Sequence, residues 1–274
     1  MILPNLLVIG AMKAGTTSLH AYLDQHPDIF MSEEKELDFF VEKKYLEKGI
    51  DWYKSQFPGP ATIRGESSQN YTKRHHPDYT GIPERIKQII PDVKLIYIVR
   101  DPVERYRSHY VENFYGDSPE RIAFNKSIQH PEKTSLYFYQ LSAFLEHFNA
   151  DQILVVCLEE LHQKRLEEMN RIFRFLGVSE LSDESVFNFV SNTSESKTIP
   201  IRVKKQLWYR VLHRLMPNFL DRFLLIDRVR NRVFPGGKKL ELSEKELERL
   251  QALFAPDVAQ LRSFTNKSFG AWKL

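Results

Sequence analysis

Short runs of apolar residues alternate along the chain with segments of helical periodicity. The strongest runs, at residues 6–9, Lys94–Val99 and Ile153–Cys157, are rich in branched side chains and predict strands. A shorter strand is predicted that ends in the sequence Gly-Glu-Ser-Ser at 65–68. Uninterrupted apolar runs are typical of strands buried on both faces, so the pattern predicts an α/β fold with a central parallel sheet flanked by helices.

Helical spacing and end signals place helices between these strands. The first helix follows residue 15 and ends near Pro27, which cannot continue it. Further helices are predicted at 83–90, 136–148, 159–176, 244–253 and 257–264, with Gly177 and Ser243 as caps. Segment 31–40 has no clean period, so it is predicted to be a loop over the site, with a solvated charge run as the alternative. Its candidates for ligand contact are Lys35, Glu36, Phe39 and Phe40.

The strand–turn–helix at residues 6–18 carries the clearest chemistry. Gly10 and Gly15 allow backbone torsions that a Cβ forbids, and the helix that starts at Thr16 points its unpaired N–H groups at the turn. A nucleotide P-loop has its Lys after the second Gly, whereas Lys13 precedes Gly15. The pattern predicts an anion-binding cradle with Lys13 near the transferred group; an ordinary βα turn is the alternative.

Polar residues also end two of the other predicted strands. Glu66 is placed at a carboxyl end, the edge where open α/β sheets carry their chemistry. Arg100 ends the strand 94–99, and Asp101 begins a helix with a reciprocal capping pattern. Arg100 and Ser108 can converge on a phosphate monoester, while a structural Arg–Asp pair is the alternative. Together with the cradle, this implies a ligand with two separated phosphates.

Composition and charge narrow the class of protein. The 274 residues, 42% hydrophobic, suffice for one domain over 1–274, and the single Cys157 lies in an apolar strand. Without a disulfide, an apolar span or a secretion signal, the chain is expected to be cytoplasmic. Residues 202–239 hold 11 Lys and Arg against 2 Asp and Glu. This concentration predicts a basic helical insertion or lid, packed on the core or touching a membrane surface, rather than a nucleic-acid-binding protein.

Five motifs occur in an order that resembles the sulfotransferase family that uses 3′-phosphoadenosine 5′-phosphosulfate (PAPS), most closely its bacterial and heparan-sulfate-type branch. They are G-A-M-K-A-G-T-T-S at 10–18, K-E-L-D-F-F at 35–40, G-E-S-S-Q-N-Y at 65–71, V-R-D-P-V-E-R-Y-R-S-H-Y at 99–110 and F-L-G-V at 175–178. The resemblance implies a single domain with the P-loop-like sulfotransferase fold, which takes PAPS and releases 3′-phosphoadenosine 5′-phosphate (PAP).

The resemblance also implies roles for individual residues. The 5′-phosphosulfate would be held by Lys13, Ala14, Gly15, Thr16, Thr17 and Ser18, and the 3′-phosphate by Arg100 and Ser108. Tyr137 and Lys197 of the loop 192–197 fall where cofactor contacts are usual. Glu66 matches the family's acceptor-activating base, and His109 is a second acid–base candidate with a packing role as the alternative. Lys35, Phe39 and Phe40 are the acceptor-side candidates.

The expected reaction is metal-independent, in-line transfer of a sulfuryl group to a hydroxyl or amine, in which positioning and electrostatics carry most of the catalysis. A small-molecule, lipid or carbohydrate acceptor remains open. Two other classes compete with this interpretation. One is a nucleotide-regulated protein that binds membrane surfaces through 202–239, and the other is a P-loop kinase, which the position of Lys13 disfavours.

Overall fold

The computed structural model describes residues 2–116, 119–188, 207–216 and 240–274. Five parallel strands are found there: β1 Leu6–Gly10, β2 Ile29–Met31, β3 Ile63–Ser67, β4 Lys94–Val99 and β5 Ile153–Cys157. The first helices are α1 Thr16–Leu23, α2 Glu42–Ser55, α3 Ile82–Ile89, α4 Pro102–Gly116, α5 Pro119–Ser127 and α6 His130–Thr134. They are followed by α7 Tyr137–Leu145, α8 Leu158–Gln163, α9 Arg165–Leu176, α10 Leu207–Leu215 and α11 Glu244–Thr265.

The strands lie in the order β2-β3-β1-β4-β5, with β1 at the centre. The chain builds the β1, β2 and β3 side first and then crosses to β4 on the other side of β1. Leu7 is level with Glu66 of β3, and Val8 is level with Ile96 of β4. The carboxyl ends of β1, β3 and β4 therefore meet at a topological switch point, where open α/β sheets bind ligands.

The central strand is buried on both faces because its successive side chains point to opposite sides of the sheet. Leu7 and Ile9 belong to a core cluster with side chains of α7 and α11, whereas Leu6 and Val8 join one with side chains of α1 and α9. This two-sided burial explains why the run reads as continuously apolar and confirms the predicted helix-covered parallel sheet.

A buried carboxylate, Asp257, joins the C-terminal helix α11 to the start of helix α7. Asp257 of α11 accepts the backbone N–H groups of Phe138 at 3.0 Å and Tyr139 at 2.8 Å. These amides lie in the first turn of α7, where no intrahelical acceptor exists. Asp257 thereby caps α7 from a distant segment, and burial raises the pKa of its carboxyl to about 6.

Several elements differ from the sequence prediction for local reasons. Strand β2 was not predicted, since three residues are too short to show a period. The helix predicted over 159–176 is two helices, because Lys164 between them has non-helical torsions. The two C-terminal helices are one continuous helix, α11, which accommodates Pro256. Gly177 adopts the predicted left-handed cap at φ 80°.

Of the basic segment 202–239, only residues 207–216 are described, and they contain the predicted helix α10. The remaining residues of this predicted helical insertion or lid lie outside the described residues. None of the helices in the described ranges has the length and apolar character needed to cross a membrane.

Candidate active site

The turn after β1 has the shape of an anion cradle. Lys13 and Gly15 have positive φ values of 65° and 93°, and α1 begins directly at Thr16 with no side chain capping its N-terminus. The turn is fixed to the neighbouring strand by a hydrogen bond from Ala11 N to Ile98 O at 2.7 Å. Because the first-turn amides of a helix lack intrahelical acceptors, they are available to an anion at this point.

Both glycines of the cradle are also required by packing. A Cβ on Gly10 would lie 2.1 Å from Thr72 Oγ1, and a Cβ on Gly15 would lie 2.5 Å from Leu158 Cδ1. Around the turn, Ala14 and Thr16 are buried, Lys13 and Ser18 are half-buried, and Thr17 is exposed. The donor set of amides, hydroxyls and an ammonium group fits phosphate or sulfate oxygens.

A buried guanidinium supports the cradle from below. Arg105 of α4 is fully buried and donates from Nη1 to Met12 O at 3.5 Å and from Nε to Ser135 Oγ at 2.7 Å. It also binds Pro131 O and, at 3.1 Å, His109 Nδ1. Burial lowers the pKa of this guanidinium to about 10. Arg105 therefore adds positive charge next to the cradle while holding the Met12 carbonyl.

The prediction that His109 is an acid–base group is not supported by its position. The ring is buried, contacts Arg105 and lies edge-on to His130 at 4.9 Å between centroids. Burial and the charge of Arg105 lower its pKa well below the usual value. A buried neutral imidazole in this setting packs beneath the cradle and orients Arg105.

The second predicted anion site lies at the end of β4. The Arg100 side chain is 29% exposed and its Nη2 lies 3.8 Å from Glu104 Oε2, so its structural partner is Glu104 rather than an aspartate. Ser108 lies half-buried two turns along α4. Arg100 is held next to the cradle because β4 pairs directly with β1.

Tyr137, a predicted cofactor contact, lies behind the site and bonds to the backbone of Arg100. It is fully buried, and its hydroxyl donates to Arg100 O at 2.7 Å and accepts from Arg100 N at 3.3 Å. Burial raises the pKa of this phenol well above its usual value. Tyr137 thus fixes the backbone of Arg100 from the core side.

The helix after Arg100 starts as predicted, but only half of the reciprocal cap forms. Asp101 Oδ1 accepts the N–H groups of Val103 at 2.9 Å and Glu104 at 3.1 Å. The backbone N–H of Asp101 instead donates to Glu159 Oε1 at 2.9 Å, because the Glu104 side chain is engaged by arginines. Glu159 also accepts from Trp272 Nε1 at 3.0 Å. The Glu159 carboxylate is therefore bonded to structural partners at the end of β5.

Glu66 lies near the carboxyl end of β3 as predicted, but it is not open to an acceptor. Its side chain is fully buried. Oε1 accepts from Tyr71 at 2.7 Å and Tyr53 at 2.9 Å, and Oε2 accepts from Ser68 Oγ at 2.6 Å. Burial raises the pKa of Glu66 to about 7, a value that suits a general base. Geometry takes precedence over pKa, however, and a carboxylate without exposed surface does not touch an acceptor in this conformation.

The loop after β2 divides into buried and accessible halves. Phe39 and Phe40, two predicted substrate contacts, are fully buried and pack on Tyr53, so they present no surface to a substrate in this conformation. Lys35 and Glu36 form an ion pair of 3.0 Å and keep 21% and 34% of their side chains exposed. The sequence prediction did not separate these two halves, because charged and aromatic residues occur together within the six residues 35–40.

The same loop contains a carboxylate that sequence reasoning missed. Asp38 is buried, yet its Oδ1 has no hydrogen-bond partner among the described residues, while Oδ2 accepts from Asn70 Nδ2 at 2.8 Å. Burial raises the pKa of Asp38. Lys73, which donates to Asn70 Oδ1 at 2.6 Å, adds a buried ammonium group nearby. Only the polar run 69–74 after Glu66 could have pointed to this group.

One predicted cofactor contact and the question of a metal site remain. Lys197 and the rest of the loop 192–197 lie outside the described residues. In the ranges that are described, no group of three or more His, Cys, Asp or Glu side chains is arranged to hold a metal ion. The site assembled here is thus a cradle with Lys13, an arginine at the next strand end and a partly exposed Lys35–Glu36 pair.

Comparison with known proteins identifies the family. A family model of the sulfotransferase domain matches residues 3–261. The bifunctional heparan sulfate N-deacetylase/N-sulfotransferase 1 of Xenopus laevis is 30% identical over 234 residues, or 76% of this chain and 25% of that protein. A sulfotransferase structure from Alicyclobacillus acidocaldarius gives a TM-score of 0.67 at 25% identity, covering 100% of both chains. Mouse sulfotransferase SULT7A1 complexed with PAP shares the fold, with a TM-score of 0.50 at 17% identity over 93% of this chain and 84% of that one.

The chain spans about a quarter of the length of the curated relatives it matches. The region matched by the family model includes the sheet, the cradle and the strand ends described above. With the family model matched over most of its length, the chain belongs to the sulfotransferase family and is an enzyme of that type.

Proposed function

We propose that this enzyme transfers the sulfuryl group of PAPS to a hydroxyl or amine of a carbohydrate acceptor. The observation that carries the proposal is the pairing of β1 with β4, which sets the Lys13 cradle beside Arg100 at one sheet edge. PAPS carries a 5′-phosphosulfate and a separate 3′-phosphate, and two neighbouring anion sites match this arrangement. ATP has no second, separate phosphate group that could occupy the site at Arg100.

The cradle would bind the 5′ end of the donor. The first-turn amides of α1 and the hydroxyls of Thr17 and Ser18 would bind its oxygens, and Lys13 would neutralise charge that develops on the leaving phosphate oxygen. Arg100 and Ser108 would bind the 3′-phosphate. Because Glu104 lies 3.8 Å from the Arg100 guanidinium, that fork is already held at the strand end before the donor arrives.

The donor supplies the electrophilic sulfuryl group, and this chain must remove the proton of the acceptor. Glu36 is the better-placed carboxylate for this step, because it is partly exposed whereas Glu66 is fully buried. The Glu36 amide donates to Ser67 O at 3.0 Å, which places the loop at the carboxyl end of β3. Lys35 Nζ, 3.0 Å from Glu36 Oε1, would orient this carboxylate at the edge of the site.

The choice of a carbohydrate acceptor rests on the relatives, whose names refer to heparan sulfate. The assay should therefore follow transfer of labelled sulfate from PAPS to a panel of saccharides bearing free amines or hydroxyls, with phenols and lipid alcohols as comparison acceptors. Label appearing on phenols or lipids alone would replace the carbohydrate assignment.

Calorimetric titration separates the proposal from its two competitors. We expect PAP to bind and ATP to bind at least tenfold more weakly, since ATP leaves Arg100 and Ser108 without a phosphate. A preference for ATP would support a P-loop kinase or a nucleotide-regulated membrane protein instead. The Lys13→Ala variant serves as the control for binding at the cradle.

A further inference from the structure

The buried carboxylate of Glu66 is connected through its hydroxyl partners to the loop that carries Glu36. Ser68 Oγ donates to Glu66 Oε2 at 2.6 Å and accepts the backbone N–H of Asp38 at 2.9 Å. The Tyr71 hydroxyl donates to Glu66 Oε1 at 2.7 Å and accepts the backbone N–H of Phe40 at 3.4 Å. Two hydrogen-bond relays therefore connect the Glu66 carboxylate to the backbone amides of Asp38 and Phe40.

The direction of each hydroxyl proton follows from the carboxylate. An ionised carboxylate only accepts hydrogen bonds, so Ser68 and Tyr71 must point their protons at Glu66 and their lone pairs outward. Those lone pairs are what the loop amides need. A side chain at position 66 that donates a hydrogen bond to Ser68 Oγ would leave the Ser68 proton without an acceptor. The Ser68 lone pairs would then be less available to the loop amide.

The loop needs such support because its backbone is strained. Glu36 and Asp38 have φ values of 63° and 51°, a left-handed region that non-glycine residues seldom occupy. Conformations of this kind persist only where the surroundings determine them, and they cluster at functional sites. The amides of Glu36, Asp38 and Phe40 are each bonded to segment 67–71, so three attachments hold this stretch.

We propose that Glu66 is a positioning residue that, through the Ser68 and Tyr71 hydroxyls, holds the Lys35–Glu36 pair in place for the acceptor. The proposal rests on the proposed sulfuryl transfer and on the role of Glu36 in it. Glu66 then affects the rate without touching the acceptor.

Tyr53 offers a matched control. Its hydroxyl donates to the same Glu66 Oε1 at 2.9 Å, but its ring packs on Phe39 and its hydroxyl receives no loop amide. Ser68→Ala removes one of the two relays to the loop. Tyr53→Phe removes another hydroxyl that donates to Glu66 and leaves both relays in place. The two variants each lose one bond to Glu66 and differ only in the connection to the loop.

The experiment compares kcat and the KM for PAPS in Glu66→Gln, Ser68→Ala, the double variant and Tyr53→Phe. We expect kcat to fall roughly tenfold or more in the first two, with the KM for PAPS unchanged. The double variant should be no worse than the more severe single variant, because residues that act through one network are not additive. Tyr53→Phe should stay within about threefold of wild type.

Three outcomes would overturn the proposal. If Ser68→Ala retains normal kcat while Glu66→Gln is inactive, Glu66 is a direct base. If kcat falls as far in Tyr53→Phe as in Ser68→Ala, the hydroxyls around Glu66 act only on overall folding. If the losses of the single variants multiply in the double variant, the two residues do not act through one relay.

A second measurement does not depend on turnover or on the stability of Glu66→Gln. Amide hydrogen exchange of the peptide covering 35–41 should speed up in Ser68→Ala and stay at the wild-type rate in Tyr53→Phe. Unchanged exchange in Ser68→Ala refutes the positioning role even if the protein has no PAPS activity. Faster exchange together with absent transfer from PAPS would retain the relay and reject the proposed function.

Discussion

Replacing Glu66 by Gln should change how the stability of the protein depends on pH. The folded-state pKa of Glu66 is raised from 4.5 to about 7, mainly because burial penalises the ionised form. The hydroxyls of Ser68, Tyr71 and Tyr53 oppose this shift, and the charge of Asp38 adds to it. Gln resembles the neutral acid in shape and carries no charge at any pH.

The sign follows from proton linkage. Between these two pKa values the folded state holds more protons than the unfolded state, so the free energy of unfolding of the wild type falls as pH rises. Each pKa unit corresponds to about 1.4 kcal/mol, and the shift from 4.5 to about 7 gives about 3 kcal/mol. The stability of Glu66→Gln relative to wild type should therefore increase by up to about 3 kcal/mol from pH 4.5 to pH 8.

The assay is urea denaturation of wild type and Glu66→Gln at half-unit pH steps over this range. Asp38→Asn is a suitable comparison, because this carboxylate is also buried with a raised pKa, so its stability difference from wild type should change with pH in the same direction. A stability difference between wild type and Glu66→Gln that does not vary with pH would refute the burial argument. A difference that grows with pH, combined with a lower kcat, would separate the energetic cost of the ionised carboxylate from its benefit to the loop.

Three further predictions concern the site itself. Lys13→Ala should lower kcat by about 10²–10³-fold, by analogy with the loss of an oxyanion donor, and near-normal turnover measured with labelled PAPS would exclude the role. Arg100→Ala should weaken PAP binding by about 1.5–3 kcal/mol and barely change that of adenosine 5′-phosphosulfate, whereas Arg107→Ala, which removes another partner of Glu104, should change neither in calorimetry. Glu36→Gln should lower kcat by about 10²-fold with donor affinity retained, while the exposed neighbour Glu34→Gln should be near wild type, and equal rates for the two would remove Glu36 from the proton-transfer step.

The sheet could be predicted from the sequence because its strands are continuous apolar runs. The run Ile153–Cys157 became β5 with the predicted bounds, and Lys94–Val99 became β4. The edge strand β2 could not be predicted, because it has three residues and depends on its pairing with β3. The cap of α7 by Asp257 was equally invisible, since it joins positions more than a hundred residues apart.

The site was predictable where chemistry is local in the chain and unpredictable where burial decides. Lys13 and Gly15 share one turn, so their pattern alone indicated the cradle. Glu66 and Phe39 belong to recognisable motifs and Tyr137 was a predicted cofactor contact, yet all three are fully buried. A motif shows that a residue is needed but not whether it touches the ligand or holds another group that does, and this difference depends on packing between distant segments.

Electrostatics connects the buried support to the cradle. Burial lowers the pKa of His109, and the positive charges of Arg105, Lys73 and Lys13 lower it further. Among the described residues, the hydrogen-bond partners of Arg105 are two carbonyls, a hydroxyl and an imidazole, so none of these bonds is to a carboxylate. Buried positive charge of this kind is costly unless an anion lies nearby. Under the proposed function, a bound phosphosulfate would supply that negative charge at the cradle, so the buried Arg105 would attract the donor as well as hold the Met12 carbonyl of the turn.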